Sequence, residues 1–179
     1  TFNVSLFYGE YSDIQVNTIE EGEGFLAELV IRNAASATTK GGEFELIALP
    51  FDGARVIGSI GLVDARYNEF SSVSAVDNSE VNRAGQPFNS VPKFQSRLMI
   101  QYSYELPSFG PRWLQGWITP RLDWFYRSST NFQFPELTQA TQRGYNLLHA
   151  RLSYDFYDDR AQITLWANNL TGQEYFQQV

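Results

Sequence analysis

From Leu114 to Arg127 apolar and polar residues alternate along the chain. Leu114, Gly116, Ile118, Pro120, Leu122, Trp124 and Tyr126 fall on one side of an extended segment. Gln115, Thr119, Arg121, Asp123 and Arg127 fall on the other, with Trp117 and Phe125 as the exceptions. A period of two places successive side chains on opposite faces of a β-strand. Strands in globular proteins commonly stop after roughly 5–6 residues, so an alternation of this length predicts an unusually long strand. The pattern recurs and predicts seven strands, at about 2–16, 36–49, 54–70, 93–106, 114–127, 144–157 and 160–175. Phe2, Val4, Leu6 and Tyr8 share one face of the first; Phe44, Leu46 and Ala48 one face of the second; Val56, Gly58, Ile60 and Leu62 one face of the third. Leu98, Ile100, Tyr102 and Tyr104 oppose Arg97, Gln101, Ser103 and Glu105 in the fourth. In the sixth, Leu148, Ala150, Leu152, Tyr154 and Phe156 oppose His149, Arg151, Ser153 and Asp155. The seventh carries Ile163, Leu165 and Ala167.

The spacers between these strands alternate in length. Long polar spacers cover about 17–35, 71–92 and 130–142, and short turns cover about 50–53, 107–112 and 157–160. A strand that crosses a bilayer at a tilt needs roughly 9–11 residues with one apolar face. Membrane barrels join such strands by short periplasmic turns and longer extracellular loops. The expected fold is therefore all-β: an antiparallel up-and-down meander of about seven long strands, part of a transmembrane β-barrel.

Composition agrees. Charged residues are 18% of the 179-residue chain and aromatics 16%, whereas a soluble domain carries about 25% charge. Mean hydropathy is mildly polar at −0.31, because each inward polar residue dilutes its apolar neighbours. The net charge of −7 argues against a nucleic-acid partner, which requires a basic stripe. There is no Cys, which excludes disulfides and thiolate metal sites. The chain starts at Thr1 without a Met or a signal peptide, as expected of a processed chain or an internal segment.

Aromatics near predicted strand ends are candidates for the girdles that mark the two membrane interfaces: Tyr11, Tyr67, Phe70, Tyr126, Tyr175 and Phe176 beside long loops, and Trp113 and Phe156 beside short turns. The polar faces of strands four to six supply the candidate lumen-facing residues Arg97, Arg121, Asp123, Arg127, His149, Arg151 and Asp155. Arginine facing lipid costs roughly 2–4 kcal/mol near the midplane, so the face these residues share is the inner one. They offer a path for an anionic ligand, or a charged wall that bonds to whatever fills the lumen. His149 is the single histidine; as a general base it would need a nucleophile and an orienting group within reach, and a plain polar wall residue is the simpler reading. Glu20, Glu21, Glu23 and Glu28 form an acidic cluster in the first spacer, either solvated or suited to a hard cation. No catalytic, metal or cofactor site is expected.

Three segments carry a resemblance. Leu165-Trp-Ala-Asn-Asn-Leu-Thr-Gly-Gln-Glu-Tyr-Phe176 resembles the penultimate-strand signature of TonB-dependent outer-membrane receptors, with Asn168, Asn169, Leu170, Glu174 and Tyr175 as the motif residues. The segments Asn33–Glu45 and Gly85–Lys93 resemble two further strand patterns of that family. The resemblance implies the C-terminal β-barrel portion of such a receptor, without its plug and last strand, in the bacterial outer membrane. It implies a role in binding and importing a scarce nutrient of the siderophore, cobalamin or glycan class. The implied partners are outer-membrane lipid, the plug domain of the same full-length chain, the TonB complex through the missing N-terminal part, and a small-molecule ligand. The alternatives are a soluble all-β carbohydrate-binding module, a β-rich enzyme using a pair such as Asp123 and Glu105, and a passive porin.

Overall fold

A computed structural model describes the backbone at residues 1–21, 27–73, 79–106, 111, 114–132, 140–156 and 160–176, and side chains at these positions apart from 16–35 and 73. Among the described residues there are twelve strands: β1 (Phe2–Glu21), β2 (Ala27–Ala48), β3 (Ala54–Glu69), β4 (Ser71–Val73), β5 (Glu80–Asn82), β6 (Phe94–Tyr102), β7 (Tyr104–Glu105), β8 (Gly116–Arg127), β9 (Thr130–Asn131), β10 (Thr141–Gln142), β11 (Tyr145–Phe156) and β12 (Ala161–Ala167). One eight-stranded sheet runs β1-β2-β3-β6-β8-β11-β12, with β7 continuing β6 alongside β8. Its neighbours are all antiparallel. This is the expected meander, with β6 and β7 together forming the fourth predicted strand.

The register fixes what shares a face. One row runs Phe2–Leu46–Gly58–Leu98–Trp124–Leu148 across six strands, and a second runs Ala48–Val56–Ile100–Leu122–Ala150–Ala167. These rows build one apolar face with no covering layer: Leu122 is 50% exposed and Leu165 66%. Over most of the sheet the opposite face is polar, as in the row Glu45–Ser59–Arg97 and the row Gln101–Arg121–Arg151. Among the described residues there is no continuous core. Buried residues are scattered, among them Ala37, Ala65 and Met99 on the polar face. In the described eight-stranded sheet β1 and β12 are the two outermost strands.

Strand pairing extends further than the alternation does. The pattern assigned 17–35 to a spacer, yet β1 and β2 pair through Glu21↔Ala27. Their lengths of 20 and 22 residues are about twice a bilayer crossing. Alternation marks a strand only where its two faces meet different surroundings, so this extension carried no period to read. Asp13 has a φ of 56° within a register shift between Tyr11 and Ile14, the signature of a β-bulge. The other two long spacers contain the small hairpins β4–β5 and β9–β10.

Local chemistry accounts for the β2–β3 turn. Gly53 has a φ of 79°, and a Cβ there would lie 2.2 Å from the Ser103 carbonyl oxygen. Ser103 N–H donates to that same glycine's carbonyl at 2.8 Å, so the turn is tied to the neighbouring strand as closely as backbone allows.

Candidate functional site

Five of the seven polar-face candidates converge. Arg97 on β6, Arg121 and Asp123 on β8, and His149 and Arg151 on β11 line one hollow of about 710 Å³, together with Gln162, Thr164, Trp166 and Asn168. Register brings them together: His149 lies opposite Asp123 and Arg151 opposite Arg121, while Trp166 on β12 lies opposite Arg151. Asp123 is the electrostatic centre. It accepts two hydrogen bonds from Arg121, Nε to Oδ2 and Nη2 to Oδ1, both at 2.7 Å. Arg97 Nη2 approaches Oδ1 at 3.4 Å. A planar fork on a carboxylate is the strongest common form of this pairing.

The other two candidates lie elsewhere. Arg127 Nη2 donates to the Ser90 carbonyl at 3.2 Å, and Ser90 N–H donates to Asn131 O at 2.7 Å. Ser90 thus ties the second long connection both to the end of β8 and to the third. Asp155 accepts from Gln162 Nε2 at 2.5 Å near the opposite end of β11. It stands six residues from His149, roughly 20 Å along a strand, so the two do not form an acid–base pair. Glu105 is likewise six positions from Asp123 by register, since it opposes Trp117, and the carboxylates cannot share a substrate atom.

The Asn-rich motif after β12 has a local explanation. Asn169 adopts a φ of 51°, a left-handed conformation that Asn tolerates better than most residues. Its side chain accepts from Gln173 N–H and donates to Gln173 O, both at 3.0 Å. Its own N–H donates to His149 Nδ1 at 3.2 Å, and Leu170 N–H donates to Leu148 O at 2.8 Å. The turn returns Tyr175 onto Tyr145, with rings stacked at 4.6 Å and 15°. Glu174 lies between them in sequence and exposed.

The candidate interface aromatics divide between the two faces. On the apolar face, Tyr126 stacks on Trp124 and tilts against Phe94 at 5.7 Å, near the end that carries the long connections. Phe156 stacks on Tyr154 at the other end, and the Tyr154 hydroxyl donates to the Leu114 carbonyl. Tyr67 and Tyr175 belong to the polar side. Tyr67 lies opposite Ala37 and packs on Phe70 and Phe88, with centroids at 4.8 and 4.5 Å; Phe70 is only 3% exposed. Tyr11 folds over Gly9. Phe176 is exposed, with its N–H on Gln142 Oε1 at 2.7 Å. Trp113 lies outside the described residues.

Of the acidic cluster, Glu23 lies outside the described residues, while backbone register sets Glu20 opposite Glu28. Among the described residues no group of three or more His, Cys, Asp or Glu is placed to hold a metal ion.

An uncovered apolar face, a polar face that gathers charge, and a meander of long strands together describe barrel wall. The family of TonB dependent receptor-like β-barrels matches residues 1–170. The chain belongs to this family. A solved structure with the same fold is the ferric yersiniabactin uptake receptor FyuA from Yersinia pestis, at a TM-score of 0.69 and 18% identity over 97% of this chain. The chain spans 23% of the length of that receptor. Within this receptor barrel, Gln162, Thr164 and Trp166 line the hollow although sequence reading did not single them out. The parity of β12 was enough to find them, since they alternate with Ile163 and Leu165.

Proposed function

We propose that this chain forms part of the wall of a bacterial outer-membrane receptor that imports a scarce nutrient with energy relayed by TonB. The observation that carries the proposal is the opposition of the two sheet faces in a chain of this family. The apolar face meets lipid and the polar face, with Arg97, Arg121, Asp123, Arg127, His149, Arg151 and Asp155, meets the lumen. From the level of Tyr126 to that of Phe156 the strand advances ten residues, on the order of 25 Å of membrane height at a typical tilt. That is the height of the lipid-facing band between the two aromatic girdles of such barrels. Trp124, Tyr126 and Phe156 belong to those girdles in this reading.

In this reading the upper boundary falls on β1–β3 as well. Above the Leu6–Gly42–Leu62 row the outward face turns polar, with Tyr8 and Asp64 on either side of Lys40. Arg66 pairs with Asp64 at 2.8 Å there. The long connections then lie outside the cell, and the β1–β2 hairpin projects beyond the bilayer. The unpaired edges at β1 and β12 would each cost several kcal/mol per exposed backbone group in hydrocarbon, so the sheet is an arc of a larger closed barrel. A plug and the TonB complex are its functional partners.

The ligand belongs to the siderophore, cobalamin or glycan class. The similar structure is an uptake receptor for a ferric ligand, which makes ferric siderophores the first class to test. The test is growth and uptake: a strain deleted for the gene should lose uptake of one ferric siderophore, cobalamin or glycan, and a TonB-deficient strain should lose the same one. A receptor found in the soluble fraction, or uptake unaffected by loss of TonB, would reject the proposal.

A further inference from the structure

The hollow over Asp123 carries more positive charge than it neutralises. Three guanidinium groups line it, from Arg97, Arg121 and Arg151, against the single carboxylate of Asp123. Asp123 is already taken by the two-pronged contact of Arg121 and the approach of Arg97. Arg151 makes no hydrogen bond or ion pair among the described residues, although register places it directly opposite Arg121. Like charges at directly opposed positions on one sheet face, with Cβ atoms roughly 5 Å apart, destabilise a strand pair. An anion lying over that pair turns the repulsion into a shared contact.

The rest of the lining suits the same occupant. His149 Nδ1 accepts the Asn169 N–H, which leaves Nε2 as the ring nitrogen that can donate into the hollow. Asn168 and Thr164 add neutral hydrogen-bonding groups, and the exposed Trp166 ring borders Arg151 across the β11–β12 pair. Guanidinium groups favour planar oxyanions that accept two hydrogen bonds at once.

We infer that the hollow formed by Arg97, Arg121, His149 and Arg151 is a carboxylate-binding site whose second carboxylate is supplied from outside this sheet, with Arg151 as its principal ligand. This deepens the receptor proposal and rests on it for one point, that the polar face looks into the barrel. Two sources share the chemistry: an acidic side chain of another segment of the full-length receptor, or a diffusible carboxylate passing through the lumen.

The experiment uses the full-length receptor in detergent, carrying Arg151→Lys. A carbodiimide then couples the introduced amine to whichever carboxylate touches it, with and without added citrate as the diffusible probe. Mass spectrometry identifies the product. Coupling to a carboxylate elsewhere in the polypeptide shows the internal source. Coupling to citrate, with citrate binding weakened at least tenfold in Arg151→Gln, shows the diffusible one. Coupling confined to Asp123 or Asp155, or no coupling, overturns the inference. Should Arg151→Lys fail to assemble, Arg97→Lys presents the amine from β6 with the same outcomes. Outer-membrane fractionation of each protein, run in parallel, separates failure of the anion site from failure of the receptor reading.

Discussion

At the level of single residues, positions with unusual backbone conformation or very close neighbours carry much of the structure. Asn169 combines a left-handed backbone with two side-chain bonds to Gln173 and a backbone bond to His149. Asn169→Ala should lower stability by about 1–3 kcal/mol, from backbone strain and lost hydrogen bonds. It should also release Tyr175 from Tyr145. Thermal unfolding in detergent, followed by near-ultraviolet circular dichroism of the tyrosine pair, checks both. Gly53→Ala meets a positive φ and the Ser103 carbonyl together, so a loss of similar size, about 1–3 kcal/mol, is expected in the same assay. Gly41 illustrates the opposite relation: the Phe7 ring lies where its Cβ would stand, covering bare backbone from the neighbouring strand. Asp123 holds two arginines. Removing its charge with Asp123→Asn should therefore make stability more dependent on salt, visible as a melting temperature that rises with ionic strength as anions screen the freed guanidinium groups.

At the level of the strand, the parity of β8 makes a sharp claim. Leu122 and Arg121 are neighbours in sequence and face opposite sides of the sheet. Leu122→Arg should cost roughly 2–4 kcal/mol if the apolar face meets the bilayer midplane, whereas Thr119→Arg on the other face should cost far less. Equilibrium folding into lipid vesicles measures the difference, and equal costs would remove the two-faced assignment. Parity also explains which strands were legible in the sequence. The apolar rows on β3, β6, β8 and β11 were readable because the two faces of the sheet carry apolar and polar residue types in strict alternation. The upper part of the β1–β2 hairpin was not, because the apolar half of the alternation stops there while the backbone pairing continues. The small hairpins β4–β5 and β9–β10 escaped for another reason: strands of two or three residues have no period at all.

At the scale of the whole sheet, the absence of Cys makes a labelling test simple. Single substitutions Ile100→Cys and Gln101→Cys in the full-length receptor should respond oppositely to a water-soluble, lipid-impermeant maleimide. Gln101→Cys should react and Ile100→Cys should be protected in bilayers, and the reverse pattern would turn the barrel inside out. The alternation of residue types was sufficient to establish an all-β meander and its two faces, and short motifs pointed to the family. Those are consequences of short-range geometry and of the medium each face meets, and both leave a periodic mark in one dimension. Pairing across strands leaves none. Only the folded sheet, through its register, set Arg151 opposite Arg121 and His149 opposite Asp123, and separated Arg127 and Asp155 from them. It likewise drew Tyr67 and Tyr175 onto the polar side, where sequence position alone had suggested the membrane interface. A slip of two residues between β8 and β11 would preserve every face and every alternation yet dissolve the charged hollow, because what gathers those side chains is hydrogen bonding between segments far apart in the chain.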